Sequence, residues 1–140
     1  MKLLSISQAQ YQVAAVVDEH GDKPACPVYE FFAAIEKHYQ GSADGLLALI
    51  ERIANRGTQG LSSKLCHLVD EENKIYQLIK GDLRLFFFKG HCDLIVIASH
   101  GTIKKSQHTK ISDKNRAIRY KKRYQKEHDK KRITILKELP

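Results

Sequence analysis

Several residue types are scarce in this sequence, and each scarcity argues against a class of protein. The 140 residues include no tryptophan, one methionine, three prolines and three cysteines. Cys26, Cys66 and Cys92 are odd in number and form no Cys-x-x-Cys pair, which argues against a disulfide framework and against a zinc site. We therefore expect idle thiols, no bound metal and no cofactor.

Long apolar runs are also missing. The longest strongly apolar stretches, 83–88 and 94–98, are far shorter than the roughly 20 residues of a membrane-spanning helix. At the N-terminus, polar residues break the chain between Ser5 and Gln8 before an apolar signal core can form. No repeat with a period of about 20 to 50 residues is present, which excludes solenoids. The expectation is a cytoplasmic protein that has no membrane partner.

The remaining composition is that of an ordinary globular protein with one asymmetry. Apolar residues make up 42% and charged residues 29%, which suits a single domain over 1–140, with a core of about 10–128 and a C-terminal extension of 129–140. Residues 1–99 carry 10 basic and 12 acidic side chains, whereas residues 100–140 carry 14 and 4, a net of +10. This charge predicts a polyanionic partner, although a disordered tail or a solvated helix face has the same composition.

Hydrophobic periodicity predicts an α+β fold. Alternating residues from Gln10 to Val17 indicate a first strand. Apolar residues spaced by three and four positions predict one helix from Pro27 to about Tyr39 and a second from about Ser42 to Gly57. Because the turn between these helices is short, we expect an N-terminal helical hairpin.

The second half of the chain is predicted to form an antiparallel meander followed by a basic helix. The segments 75–80, 83–88 and 94–99 are short and rich in β-branched or aromatic residues, and glycine-containing turns separate them. Ser112 can cap a helix from Asp113 to about Lys130 that has a narrow apolar stripe and a broad basic face. The expected architecture is an antiparallel sheet that carries its helices on one face.

Five motifs, which span about residues 10–128, resemble the RelE/ParE superfamily of toxins, in particular the HigB-type and phage-derived members. In chain order they are Lys23–Phe32, Ile75-Tyr76-Gln77-Leu78, Leu83-Arg84-Leu85-Phe86-Phe87-Phe88, Ile95–Gly101 and Lys104-Lys105-Ser106-Gln107-His108-Thr109, the last leading into the basic helix. The resemblance implies a small RelE-like fold and the toxin of a type II toxin–antitoxin system. Such a toxin is a metal-independent endoribonuclease that cuts mRNA on the ribosome and inhibits translation, and a cognate antitoxin restrains it. Ile79 stands where the family has a basic residue.

Metal-free RNA cleavage needs a small set of side chains. The ribose 2′-hydroxyl is the nucleophile, so the protein must accept a proton, stabilise the phosphorane charge and assist the leaving 5′-oxygen. Arg84 lies inside an aromatic strand, where an unpaired guanidinium is costly. It should therefore hold a phosphate or form an ion pair with Asp82 or Asp93. His100 is placed at a strand exit, where it transfers a proton or serves as a structural turn residue.

The candidate residues fall into two groups. The predicted catalytic residues are Arg84, His100, Lys104 and Lys105, and the predicted RNA-binding residues are Tyr76, Lys80, Gln107, His108, Lys121, Lys122 and Arg123. Basic and amide side chains on a loop contact phosphates readily, but a merely solvated loop has the same residues. Tyr76 is equally suited to stack on a base or to pack in the core.

Two other functions fit the same residues. A non-catalytic member of the superfamily could bind nucleic acid or inhibit another target such as DNA gyrase. An interaction subunit could instead use the basic surface to hold an acidic protein. The grouping of Arg84, His100, Lys104 and Lys105 favours the enzyme, and Ile79 favours the alternatives.

Overall fold

The computed structural model describes residues 1–98, 100–104 and 111–140. In chain order its elements are β1 (Lys2–Gln8), β2 (Gln12–Val16), α1 (Pro27–Ala33), a 3₁₀ turn (Lys37–Tyr39), α2 (Gln40–Arg56), β3 (Cys66–Asp70), β4 (Ile75–Lys80), β5 (Leu83–Lys89), β6 (Leu94–Ile97), β7 (Thr102–Ile103), α3 (Ile111–Asp129) and β8 (Thr134–Leu136). The α+β class predicted from the sequence is confirmed.

The strands of the described residues form one mixed sheet in the order β3-β4-β5-β6-β2-β1-β8, and β7 also pairs with β5. The meander of β4, β5 and β6 is antiparallel, as predicted. The sheet as a whole is not antiparallel, because β2 runs parallel to β6 and β1 runs parallel to β8. Both parallel pairs join strands that are far apart in the chain, with helices in the intervening segments, as parallel pairing requires.

Helices cover both faces of the sheet, so the prediction of helices on one face is wrong. On one face α2 packs against side chains such as Leu78, Leu85 and Phe87. On the other face α3 packs against Phe86, Phe88 and Val96. The apolar runs of β5 and β6 alternate between the two faces, and a strand that is apolar on both sides needs cover on both sides.

The predicted N-terminal helical hairpin is not confirmed. The chain starts with β1 and β2, and α1 stops at Ala33 after only seven residues. A 3₁₀ turn then leads into α2, which ends at Arg56. The next residue, Gly57, has a φ of 74°, a backbone conformation that favours glycine. α3 begins before Ser112, the predicted cap, and it is not C-terminal, because β8 follows it.

The chain after α2 contains strands that the sequence pattern did not reveal. β3 pairs with β4, β7 pairs with β5, and β8, from the predicted extension, pairs with β1. Across the described residues, every helix is too short or too polar to traverse a bilayer.

Candidate anion-binding site at the start of β5

Arg84 lies near the start of β5 on the sheet face that α3 covers. Its register partners are Ile79 on β4 and Thr102 on β7. The side chain is half-buried, and Nη1 donates hydrogen bonds to the carbonyl oxygens of Gly81 at 2.6 Å and Leu83 at 3.0 Å. Nε is buried and has no hydrogen-bond partner among the described residues. Among the described residues, one donor of the guanidinium is therefore left without a partner.

The two carboxylates expected as possible partners of Arg84 do not form an ion pair with it in the described part of the chain. Asp93 lies in the turn at the far end of β5, where its backbone carbonyl accepts a hydrogen bond from the Gln12 N–H at 3.1 Å. Asp82 is closer, and its charge opposes a fall in the pKa of Arg84. Burial outweighs that effect and lowers the pKa of Arg84, so the guanidinium is less stabilised than in water.

Lys104 brings a second cation to Arg84. The backbone N–H of Lys104 donates to the carbonyl of Asp82 at 2.7 Å, which extends the pairing of β7 with β5 by one residue. Burial first, and then the charge of Arg84, lowers the pKa of Lys104. Because Thr102 pairs with Arg84 and side chains alternate along a strand, Thr102 and Lys104 lie on the same face as Arg84.

A register change between β6 and β7 separates His100 from the regular sheet. Phe88 pairs with Val96, and Arg84 pairs with Thr102. Four residue steps along β5 therefore correspond to six on the β6–β7 side, which contains two extra residues. Irregular pairing of this kind redirects side chains and is frequent beside functional sites. On the α2 face of the sheet, a Cβ on Gly101 would lie 2.2 Å from the Phe31 ring, so the close approach of α1 requires glycine there.

His100 faces the beginning of α3. Its Nδ1 forms a short hydrogen bond with Nη1 of Arg116. Burial, and next the charge of Arg116, lowers the pKa of His100, while Asp113 acts in the opposite direction. At neutral pH the imidazole is therefore uncharged. The structure thus brings Arg84, His100 and Lys104 to one face at one end of β5.

Tyr76 and Lys80 lie on the opposite face of the sheet from Arg84. Tyr76 pairs with Phe87, and the two rings stack with their centroids 5.1 Å apart. The ammonium of Lys89 lies 5.1 Å from the Tyr76 ring centroid. The alkyl chain of Lys80 lies against Gly45 of α2, within 2.7 Å of where a Cβ would be. Neither predicted RNA-binding residue joins the Arg84 cluster.

The basic residues of α3 divide into a docked and an exposed set. Nζ of Lys121 donates to the Asn73 carbonyl at 2.5 Å, and burial, followed by the charge of Lys74, lowers its pKa. Lys114 forms a 3.9 Å ion pair with Asp70 in the same turn. Lys121 therefore helps to hold α3 on the sheet. The exposed set comprises Arg116, Arg119, Lys122, Arg123 and Lys126.

Three predicted residues, Lys105, Gln107 and His108, lie outside the described residues. Sequence reasoning missed Arg116, although its position three residues after Asp113 on a predicted helix places both on one helix face. It also missed the role of Gly101, for which the only signal is a glycine directly after His100. Within the described ranges, no group of three or more His, Cys, Asp or Glu side chains is arranged to hold a metal ion.

Comparison with known proteins gives no match to any protein-family model, and no curated sequence matches the chain. The likeness to the RelE/ParE superfamily therefore depends on the order and spacing of the motifs in the sequence. The chemistry open to the site depends on two cations, Arg84 and Lys104, and on the neutral imidazole of His100.

Proposed function

We propose that this protein is a toxin of a type II toxin–antitoxin system that binds mRNA on the ribosome and cuts it without a metal ion. The observation that carries the proposal is the half-buried Arg84, which has a second cation, Lys104, beside it and no carboxylate ion pair among the described residues. Two adjacent partly buried cations repel each other, and a phosphate bound between them would relieve that repulsion.

The chemistry follows from that arrangement. The ribose 2′-hydroxyl passes its proton to a water molecule and attacks the adjacent phosphorus, so that negative charge grows on the non-bridging oxygens. The P–O5′ bond then breaks and the 5′-oxygen takes a proton from water, which leaves a 2′,3′-cyclic phosphate and a 5′-hydroxyl end. Arg84 supplies the positive charge of its guanidinium, whose buried Nε–H has no hydrogen-bond partner among the described residues, and Lys104 adds a second positive charge. His100 stands on the same face, where it contacts the reacting phosphate. In this proposal the cytoplasmic toxin is held inactive by its antitoxin and arrests translation when it is free.

A second candidate is a non-catalytic protein that binds nucleic acid. The observation that favours it is the exposed set on α3, because no ion pair joins these cations to a carboxylate in the described part of the chain. Ile79, directly across from Arg84, also leaves the site without the basic group that the toxin family has there. Such a protein binds RNA with an affinity that falls as the salt concentration rises, as the toxin would, but it leaves the RNA intact.

Single-turnover cleavage of ribosome-bound mRNA separates the two candidates. Arg84→Ala should lower the cleavage rate about 100-fold or more, the usual scale for the loss of a preorganised donor. Arg56→Ala is the matched control, because Arg56 is exposed at the end of α2 on the other face of the sheet. Circular dichroism checks that both variants fold. If Arg84→Ala folds and cuts at the parent rate, the site is assigned wrongly, and if the parent binds RNA without cutting it, the non-catalytic function stands.

The exposed set on α3 has its own test. Replacing Arg119, Arg123 and Lys126 together by glutamine should weaken RNA binding and reduce the slope of log affinity against log salt by roughly one per lost phosphate contact. The charge-matched control replaces Lys37, Arg56 and Lys64, which are exposed elsewhere. Equal effects in the two triple variants, measured by fluorescence anisotropy, would mean that only the net charge matters.

A further inference from the structure

Arg116 makes a contact with His100 that restricts what the imidazole can do. A guanidinium has only hydrogen-bond donors, so in the bond between Nη1 of Arg116 and Nδ1 of His100 the imidazole nitrogen must accept. An uncharged imidazole has one proton, and if Nδ1 accepts, that proton is on Nε2. The geometry therefore selects one tautomer of His100.

The position of Arg116 is set by the helix that carries it. The next residue, Ala117, is completely buried against the sheet, and Tyr124 is buried two turns later. These two contacts hold the α3 backbone, while the Arg116 side chain extends over the surface to the half-buried His100. Arg116 thus reaches His100 from a firmly packed position.

The charged groups near His100 compete over its protonation. On α3, Arg116 disfavours the imidazolium and Asp113 favours it, and burial adds to the effect of Arg116. Two further cations lie on the same sheet face, Arg84 on β5 and Lys104 on the segment after His100. Burial and Arg116 together outweigh Asp113, so the neutral imidazole is the preferred form.

We propose that Arg116 is a positioning residue that holds His100 as the neutral, Nε2-protonated imidazole, so that His100 offers a hydrogen-bond donor to a phosphate oxygen at the Arg84–Lys104 site. The part about phosphate rests on the proposed function, whereas the link between Arg116 and His100 does not. In this role His100 shares the Nε2 hydrogen and neither gains nor loses a proton. A general base would need the opposite tautomer, with a bare Nε2.

Nitrogen-15 NMR of the histidine side chains tests the link directly. The chain has seven histidines, and comparison with His100→Gln identifies the signals of His100. In the unmodified protein we expect a protonated Nε2 and a bare Nδ1 at neutral pH. Arg116→Ala should shift the pKa of His100 upward, because it removes a positive charge, and Arg116→Lys should restore part of the lowering. Arg119→Ala removes the same charge from the next turn and should leave the titration of His100 unchanged.

Several results would overturn the proposal. A protonated Nδ1 in the unmodified protein would contradict the tautomer without any variant, so the test survives even if Arg116→Ala fails to fold. An unchanged titration in Arg116→Ala, or an equal shift in Arg119→Ala, would show that Arg116 has no specific effect.

Inorganic phosphate tests the donor role apart from RNA cleavage. Added phosphate should shift the Nε2–H signal of His100 in the parent and not in Arg84→Ala. If phosphate leaves that signal unchanged in the parent, the donor role is wrong even where the tautomer is as expected. If the phosphate response is present but no RNA is cut, the donor role stands and the proposed nuclease function fails.

Discussion

The two faces of the sheet are held in different ways. On the first face, α2 buries six residues, which are Ala43, Leu46, Leu49, Ile50, Ile53 and Ala54. On the second face, α3 buries only Ala117 and Tyr124. α3 is held instead by polar contacts, such as the Lys114–Asp70 ion pair and the hydrogen bond from Lys121 to Asn73. The candidate site lies on this second face.

The difference indicates how stability and function are divided within the domain. Burial of apolar surface is the dominant favourable contribution to folding. α2 on the first face buries more apolar residues than α3 on the second face. A polar helix on the second face leaves charged side chains beside the sheet, where burial shifts their pKa values. Functional sites commonly break the rules of local stability that the rest of a fold obeys.

The largest effect is expected from shortening a leucine on the first face. Leu46, on the buried side of α2, is completely buried, so Leu46→Ala should lower the free energy of unfolding by about 2–5 kcal/mol. The adjacent Leu47 is 41% exposed on the same helix and serves as the control, with a much smaller loss expected. Urea denaturation measures both. Equal losses would contradict the view that the α2 face carries the apolar stability.

A smaller effect is expected where the first face contacts the site. In Gly101→Ala the new Cβ meets the Phe31 ring. The structure must shift to make room for it, which should lower the free energy of unfolding by about 1–3 kcal/mol. The shift should also disturb the hydrogen bond of the neighbouring His100 to Arg116. Gly41→Ala is the control, since open space surrounds Gly41 near the start of α2. Thermal unfolding that is the same for both variants would remove Phe31 as a support of the site.

The anchor at the far end of α3 should contribute less. The Tyr124 hydroxyl accepts a hydrogen bond from the backbone N–H of His91 at 3.0 Å, and its ring centroid lies 5.4 Å from that of Phe88. Tyr124→Phe keeps the ring and removes the hydroxyl, so a loss of about 0.5–1.5 kcal/mol is expected by chemical denaturation. Tyr120→Phe provides the comparison with a half-buried tyrosine of the same helix. A larger loss at Tyr120 would move the anchor to that residue.

The smallest effect is expected from acid. The pKa of His100 is lower in the folded protein than its ordinary value of 6.5, so the unfolded chain binds this proton more readily. Stability should therefore fall as the pH drops below about 6.5 and level off below the folded pKa. His100→Gln should remove this part of the pH dependence. Unfolding curves of parent and variant that stay parallel from neutral to acidic pH would contradict a lowered pKa.

Local signals explain which parts of the fold could be predicted. β2, β4, β5 and β6 were predicted because their β-branched or aromatic runs end at turn residues. β8 has three residues, and only its pairing with β1 makes it a strand. The helices were assigned to one face because the sequence does not state on which side of a sheet a connection passes.

The site was predictable in part for the same reason. Arg84 inside an aromatic strand and His100 before a glycine are visible in the chain itself. Tyr76 and Lys80 are predicted to bind RNA, but the pairing of Tyr76 with Phe87 puts them on the opposite face of the sheet from Arg84. Arg116 was not identified, because its partner lies 16 residues away and only the docking of α3 brings the two together.

The sequence by itself determined the α+β class, the antiparallel meander and the concentration of positive charge in the last third of the chain, since these follow from periodicity and composition. Only the tertiary structure decided that the sheet is mixed, that helices cover both faces and that Arg116 meets His100. The physical reason is that alternation along a strand assigns side chains to two faces, but strand pairing and helix docking determine what each face contacts.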